Sequence, residues 1–302
     1  MEPGIIEAIS RLKAERNAII LAHNYQPPEI QDLADMTGDS LELSRRAAST
    51  SAAVILFCGV SFMAETAAIL NPDKTVLLPR LDAGCPMADM ITADDVRRIK
   101  ETHPGVPVVT YVNSTAAVKA ESSVCCTSAN SIRVVGSFED AVRVYMAPDQ
   151  NLARYTARHV AKEILYWSGY CPYHHNLTVD EVMTQKQAHP EALFLAHPEC
   201  RPEVLDLADK VQSTSGMLRF VQESTHQAFI VGTELGILHP MRKACPDKRF
   251  YPASERMFCT SMKLITLEDV LRSLETLEPR VRVDEETRLR ALVAVERMLA
   301  VP

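Results

Sequence analysis

The chain contains a threefold internal repeat, and this repeat limits the possible folds more than any other feature of the sequence. Residues 21–35 align without a gap with residues 195–209. Further along, residues 71–79 match residues 245–252 with one deletion, and a weaker middle copy begins at Val109. We therefore expect the chain to fold as three similar units, each formed by one copy.

Three sets of residues occupy equivalent positions in the three copies. The first set lies at the end of a predicted strand and consists of His23, Tyr111 and His197. A hydroxyl residue follows 17 positions later in every copy, as Ser40, Ser128 and Thr214. A cysteine follows the first set by 62, 60 and 62 positions, as Cys85, Cys171 and Cys259. Ligands of parallel sheets bind beyond the carboxyl ends of the strands, so these sets are expected to share one cavity on a pseudo-threefold axis.

Short apolar segments alternate with helical patterns along the chain. The candidate strands are 18–22, 53–57, 75–78, 106–112, 143–146, 163–167, 192–196, 228–231 and 249–251. Helical patterns include 28–36, 61–70, 202–210, 233–243, 267–277 and 285–299. This alternation predicts an α/β fold of three similar three-layer α/β/α units, whose parallel sheets surround the pseudo-threefold axis. The predicted units are 1–84, 85–170 and 171–259, with C-terminal helices of 260–302 docking on the first unit.

Charge and hydrophobicity argue against several classes of protein. The net charge is −7 and no basic cluster is longer than two residues, which disfavours a nucleic-acid partner. The longest apolar stretch, residues 52–60, is much shorter than the roughly 20 residues that cross a bilayer. The N-terminal segment lacks the apolar core of a signal peptide. We therefore expect a cytoplasmic protein without a membrane partner.

The eight cysteines include no Cys-x-x-Cys motif, which excludes a zinc ribbon or a ferredoxin-type ligand run. A cysteine without a special position is usually a small buried hydrophobe. The three equivalent cysteines, by contrast, are placed to converge on one metal centre. In a cubane iron–sulfur cluster, three thiolates would leave one iron free to bind substrate as a Lewis acid. A zinc or mononuclear iron lyase and an iron–sulfur redox sensor remain alternatives.

Eleven motifs follow one another between residues 23 and 266. They are His23-Asn-Tyr-Gln26, Thr37-Gly-Asp-Ser40, Gly59-Val-Ser-Phe-Met-Ala-Glu-Thr66, Ala83-Gly-Cys85 with Met87-Ala-Asp89, Tyr111-Val-Asn-Ser-Thr-Ala-Ala-Val-Lys-Ala120, Cys126-Thr-Ser-Ala-Asn130, Cys171-Pro-Tyr-His174, His197-Pro-Glu-Cys200, Ser213-Thr-Ser215, Gly232-Thr-Glu-Leu-Gly236 and Cys259-Thr-Ser-Met-Lys-Leu-Ile-Thr266. In these motifs and their order, the chain resembles the quinolinate synthase A family over nearly its whole length.

The resemblance implies an activity and a cofactor. The expected enzyme condenses iminosuccinate (iminoaspartate) with dihydroxyacetone phosphate and releases quinolinate, phosphate and water in de novo NAD biosynthesis. It uses a 4Fe–4S cluster with one open iron, and by the family pattern the ligands are Cys85, Cys171 and Cys259. Its partners are these small molecules, with L-aspartate oxidase as a transient supplier of iminosuccinate.

The resemblance also implies a set of substrate-binding residues. They are His23, Ser40, Tyr111, Val112, Asn113, Ser128, His197, Pro198, Glu199 and Thr214. We add Ser213 because it adjoins Thr214, and His174 because it lies three residues after Cys171 and is placed to bind a phosphate or carboxylate. The three hydroxyl residues have a second explanation, since serine and threonine often cap helix N-termini. Capping and anion binding use the same exposed backbone amides, so the two explanations are compatible.

The chemistry requires acids and bases, because every step moves a proton at carbon, nitrogen or oxygen. The catalytic residues are predicted to be Tyr25, Tyr111, His197 and Glu199. Glu199 is expected to be the principal base, and Tyr25 a general acid/base whose phenol is hydrogen bonded to His197. Tyr111 and Asn113 are expected to orient and polarise the substrate.

Overall fold

Three four-stranded sheets form the frame of the protein in the computed structural model, which describes residues 3–301. The first contains β1 (Ala18–His23), β2 (Met36–Gly38), β3 (Val54–Cys58) and β4 (Thr75–Leu77). The second contains β5 (Val108–Tyr111), β6 (Val124–Cys126), β7 (Arg143–Ala147) and β8 (Glu163–Tyr166). The third contains β9 (Leu193–Ala196), β10 (Lys210–Val211), β11 (Ala228–Gly232) and β12 (Arg249–Pro252). All neighbours are parallel, and the strand orders are β2-β1-β3-β4, β6-β5-β7-β8 and β10-β9-β11-β12.

Helices connect the strands in a similar order in each unit. The first unit has α1 (Pro3–Glu15), α2 (Pro28–Leu33), α3 (Ser40–Ser49) and α4 (Ser61–Leu70). The second has α5 (Ala93–Thr102), α6 (Ala116–Ala120), α7 (Ser131–Gly136) and α8 (Gln150–Ala157). The third has α9 (Pro172–His175), α10 (Val179–Ala188), α11 (Pro202–Leu205), α12 (Thr214–Glu223) and α13 (Leu238–Ala244). The last two helices are α14 (Leu267–Thr276) and α15 (Glu285–Ala300). The predicted fold class is confirmed.

The two C-terminal helices contact different units. Helix α14 packs against α1 and β3 of the first unit. Helix α15 lies against α6 and β6 of the second unit and also against α4 of the first. The C-terminal segment therefore joins two units, while the boundaries near residues 84 and 170 stay a prediction.

The three copies hold their central strand by the same pair of hydrogen bonds. Twelve residues after His23, Tyr111 and His197, each copy has a side chain that accepts a hydrogen bond from a backbone N–H of the central strand. These acceptors are Asp35, Ser123 and Asp209, at 2.8, 3.0 and 2.7 Å. The backbone N–H of each acceptor bonds back to the same strand residue at 2.9 Å. The repeat found in the sequence is thus also a repeat of backbone geometry.

All nine predicted strands are present, with ends shifted by one or two residues. Three further strands, β2, β6 and β10, were not predicted, and each is an edge strand at the same place in its sheet. Two predicted helices were too long: 28–36 ends at Leu33 and 202–210 ends at Leu205, because the chain turns into β2 and β10. The predicted helix 233–243 is a 3-10 turn at Leu235–Ile237 followed by α13. No helix between residues 3 and 301 has both the length and the apolar character to span a membrane.

Candidate functional site

A cavity of about 730 Å³ is lined by residues from all three units. It contains all but three of the site residues expected from the sequence. Those in its wall are His23, Tyr25, Ser40, Cys85, Tyr111, Asn113, Ser128, Cys171, His174, His197, Glu199, Thr214 and Cys259. The parallel sheets explain this convergence, because His23 and Tyr111 end their central strands and His197 follows the last residue of its strand.

The remaining three expected residues lie outside this wall. The Val112 side chain is buried, and its backbone N–H donates to the Cys126 carbonyl at 2.9 Å. Pro198 and Ser213 line a second cavity, which adjoins the first because Ser128 lines both. Ser213 is the N-cap of α12.

The three equivalent hydroxyl residues are not the caps of their helices. The N-cap residues of α3, α7 and α12 are Asp39, Asn130 and Ser213. The caps of the first and third units are joined, since the Ser213 hydroxyl donates to Asp39 at 3.0 Å. The explanation by capping therefore does not account for Ser40, Ser128 and Thr214, all of which line the first cavity.

Glu199 is the central charge of the cavity. The Tyr111 hydroxyl donates to one of its oxygens at 2.6 Å, and His174 Nδ1 lies 2.8 Å from the other. Burial works to raise the pKa of Glu199, but the close contacts with His174 and the Tyr111 hydroxyl outweigh it and hold the pKa below its usual range. Glu199 is therefore an ionised carboxylate, able to accept a proton.

A chain of hydrogen bonds leads from Tyr25 to this carboxylate. The Tyr25 hydroxyl bonds to the Thr233 hydroxyl, which lies 2.8 Å from Nε2 of His174. The expected bond from Tyr25 to His197 is thus wrong: Thr233 takes that place. Burial, followed by the nearby Glu199 charge, raises the pKa of Tyr25 well above its ordinary value. Tyr25 therefore holds its proton and can donate it.

His23 and His197 occupy the same kind of turn in the first and third copies. In each, Nδ1 faces the backbone N–H two residues later, at 3.2 Å for Tyr25 and 3.4 Å for Glu199. Burial is the largest cause that lowers the pKa of both imidazoles to about 3, so both are neutral. A neutral ring whose Nδ1 accepts a bond has its proton on Nε2 and can donate it to a ligand. The middle copy has Asn113 two residues after Tyr111, the position of Tyr25 and Glu199 in the others.

The three predicted metal ligands differ from the other cysteines in exposure. All eight lie in the described part of the chain and are free thiols. Five are buried, whereas Cys85, Cys171 and Cys259 are partly exposed and line the cavity. Desolvation raises the pKa of Cys85 to about 12, and those of Cys171 and Cys259 also lie above the ordinary value. A bound metal reverses this effect, because a coordinating thiol loses its proton.

The three predicted cysteine ligands do not lie close enough together to share a single ion. Within residues 3–301, one group of three side chains has its ligand atoms close enough for one ion, namely Cys171, His174 and Glu199, within 4.8 Å of one another. Cys85 and Cys259 are outside this group. An iron–sulfur cluster offers a separate iron to each thiolate, so three cysteines around one cavity fit it.

Two buried carboxylates hold the backbone of two of these cysteines. Asp149 accepts a bond from the Cys171 N–H at 3.2 Å, and Glu234 accepts one from the Cys259 N–H at 3.1 Å. Glu234 also pairs with Lys263 at 2.9 Å. Both carboxylates lie two residues beyond a strand, after β7 and β11.

Sequence reasoning did not select Thr233, Asp149 or Glu234 as site residues. Thr233 and Glu234 belong to the motif at 232–236, whereas Asp149 belongs to no motif. The signal that could have identified all three as site residues is their position just after a strand. In the first copy this place is taken by Val60, which hides the pattern.

Comparison with known proteins gives one consistent result. A family model described as "Quinolinate synthetase A protein" matches residues 7–300. A protein of Pelobacter propionicus named quinolinate synthase is 57% identical over 303 residues, covering 100% of this chain and 99% of its own. Proteins of the same name from Methanoregula boonei and Geotalea uraniireducens are 57% and 56% identical over 294 residues. These matches cover 97% of this chain in both cases, and 97% and 96% of the respective relatives.

Proposed function

Because the chain belongs to the quinolinate synthetase A family, we propose that it condenses iminosuccinate with dihydroxyacetone phosphate to quinolinate, phosphate and water. In this role it serves de novo NAD biosynthesis. The observation on which the proposal depends is the cavity at the meeting of three units, into which each copy of the repeat brings one cysteine and one hydroxyl residue. The substrates have two carboxylates and one phosphate, and such anions require several converging donors.

The proposed cofactor is a 4Fe–4S cluster held by Cys85, Cys171 and Cys259. When bound, it supplies an iron without a protein ligand, which acts as a Lewis acid on substrate oxygen or nitrogen. The partial exposure of these three thiols in one cavity supports this ligand set.

The other residues of the cavity bind and orient the substrates. His23 and His197 donate from Nε2 to the carboxylates, and Ser40, Ser128 and Thr214 donate to the phosphate or carboxylate that they face. The Asn113 Oδ1 atom is buried and has no hydrogen-bond partner within residues 3–301. Since an unpaired buried acceptor is costly, Asn113 is well suited to accept a bond from a substrate N–H or O–H.

Proton transfer is assigned to Glu199 and Tyr25. The hydrogen bonds to Glu199 hold it ionised but make it a weak base. A substrate that displaces the Tyr111 hydroxyl or His174 removes one of these bonds and raises the basicity of the carboxylate towards the useful range. Tyr25 is the complementary acid, and His174 and Thr233 link the two groups.

The proposed supplier of the labile iminosuccinate is L-aspartate oxidase, as a transient partner. Both substrates are small molecules, and their proposed site is a cavity lined by residues of all three units.

Anaerobic reconstitution with iron and sulfide tests the proposal. We expect a brown protein with about four iron and four sulfide per chain, and formation of quinolinate from both substrates. Activity should fall in air and return with iron, sulfide and thiol, because an iron without a thiolate is the corner most easily lost. A zinc enzyme would keep its turnover in air, and a redox sensor would form no quinolinate; either result contradicts the proposal.

Replacement of Ser40 by alanine should affect substrate binding more than the chemical step. A hydrogen bond to a charged group contributes about 1.5–3 kcal/mol. The KM of whichever substrate Ser40 contacts should therefore rise by roughly one to two orders of magnitude. Steady-state kinetics with each substrate varied measures this. Ser49→Ala, at the exposed end of the same helix, is the matched control. An unchanged KM in Ser40→Ala would exclude its hydroxyl from substrate binding.

A further inference from the structure

The second cavity, of about 1210 Å³, is an outer cavity that adjoins the proposed catalytic one. Asp39 and Ser128 line both, so the two cavities are neighbours. The wall of the outer cavity comes largely from α3, α7 and α12. Helices α3 and α12 begin at Ser40 and Thr214, and α7 begins three residues after Ser128.

Each of these helices contributes one arginine to the outer cavity: Arg45, Arg133 and Arg219. Every one of them lies five residues after the equivalent hydroxyl residue, so the arginines occupy the same position in all three copies. All three are exposed. This arginine ring, defined by Arg45, Arg133 and Arg219, is a fourth set of equivalent residues.

The arginine ring is not neutralised by ion pairs. Exposed arginines elsewhere differ in this respect: Arg143 pairs with Glu163 at 2.6 Å, whereas Arg46 pairs with no carboxylate of the described chain. Within the described chain, the three ring arginines form no ion pair, and Arg45 donates to the Val301 carbonyl at 3.0 Å. The outer cavity thus holds three positive charges, although the chain as a whole has a net charge of −7.

Two carboxylates face the same space, but both are engaged in hydrogen bonds. Asp39 accepts from the Leu41 and Glu42 backbone N–H groups and from Ser213. Glu42 accepts from the Ser215 hydroxyl. Three guanidinium groups against two carboxylates leave the outer cavity with a net positive charge.

We propose that the arginine ring is an electrostatic entrance that attracts anionic substrates and raises their concentration beside the three equivalent hydroxyl residues. That these anions are a triose phosphate and a dicarboxylate rests on the proposed function. In α3 and α12 the five intervening residues advance about 7.5 Å along the helix, and Arg133 shares the outer cavity with Ser128 itself. These spacings are comparable to the roughly 8 Å over which physiological salt screens a charge. A cleft with an excess of positive charge attracts anions, and fields of this kind raise the local concentration of the opposite ion by about 10-fold or more.

The test is the triple variant Arg45→Gln, Arg133→Gln, Arg219→Gln in the reconstituted enzyme. We expect kcat to be unchanged and the KM for dihydroxyacetone phosphate to rise about tenfold. The fall of kcat/KM with added potassium chloride should be much shallower than in the unchanged enzyme. A triple variant with lysine at the same three positions should have the KM of the unchanged enzyme, because lysine keeps the positive charge. Arg46→Gln, an exposed neighbour on α3 outside the outer cavity, is the matched control.

A binding measurement separates this proposal from the proposed function. Titration calorimetry of the reconstituted protein with inorganic phosphate should show about tenfold weaker affinity in the glutamine triple variant. If no quinolinate forms, the proposed function is wrong and the phosphate titration alone decides on the arginine ring. Equal phosphate affinity in the unchanged protein and the glutamine variant would overturn the proposal. Lysine variants as weak as the glutamine variant would also overturn it, because shape rather than charge would then matter.

Discussion

Replacing Cys85, Cys171 or Cys259 by alanine is expected to abolish both cluster retention and quinolinate formation. A cubane held by only two thiolates is poorly anchored, so iron and sulfide should fall from about four per chain to near background. Iron and sulfide analysis after anaerobic reconstitution, with the absorption spectrum, measures the loss. The folded state is checked by thermal unfolding of the protein before reconstitution.

Two other cysteines provide controls for this series. Cys126 and Cys245 are buried and line neither the catalytic nor the outer cavity. Cys126→Ala and Cys245→Ala should keep the brown colour and the activity, with a small loss of stability from the missing sulfur. Full iron and sulfide content in Cys171→Ala would contradict the ligand assignment.

Glu199→Gln is expected to lower kcat by roughly 10²–10⁴-fold, the usual range for loss of a general base. Glutamine keeps the shape of the side chain and can still accept from Tyr111, so the substrates should bind nearly as before. Anaerobic kinetics that separate kcat from KM make the distinction. This pattern is the opposite of that expected for Ser40→Ala.

A nearby carboxylate gives the matched control for Glu199. Glu203 lies four residues later on α11, is exposed, and pairs with Arg201 at 3.1 Å. Glu203→Gln should leave both kcat and KM unchanged. Normal turnover in Glu199→Gln would remove Glu199 from the role of base, which would pass to Tyr25 or His197.

The main features of the fold and the family were accessible from the sequence because they repeat. The resemblance based on eleven motifs is confirmed by the comparisons, and the three-unit α/β fold by the sheets. The equivalence of His23 and His197 extends to the hydrogen bonds of their turns. Spacing alone could place such residues together, since parallel strands present their ends at one edge.

The edge strands were missed because they are too short to show a periodic pattern. Strands β2, β6 and β10 have two or three residues and follow helical segments without an intervening apolar run. Two or three residues do not establish an alternation, so the helical pattern was extended into β2 and β10. Pairing with the central strand, a tertiary effect, decides their structure.

Individual hydrogen bonds in the site were beyond sequence reasoning. The bond of Tyr25 to Thr233 joins the first unit to the third, across 208 positions of the chain. Asp149 and Glu234 were overlooked because their roles depend on which backbone N–H lies opposite, not on residue type. The contact between Tyr25 and Thr233 depends on the rotation of the first unit relative to the third, which a repeat does not specify.

Two residues after His23, Tyr111 and His197, the three copies carry different side chains, and this difference bears on how such a site can evolve. It holds a phenol in the first copy, an amide in the second and a carboxylate in the third: Tyr25, Asn113 and Glu199. A symmetric trimer of single units would place the same side chain there three times. Joining the copies in one chain removes that constraint, so each position can specialise for a separate task while the shared scaffold is conserved.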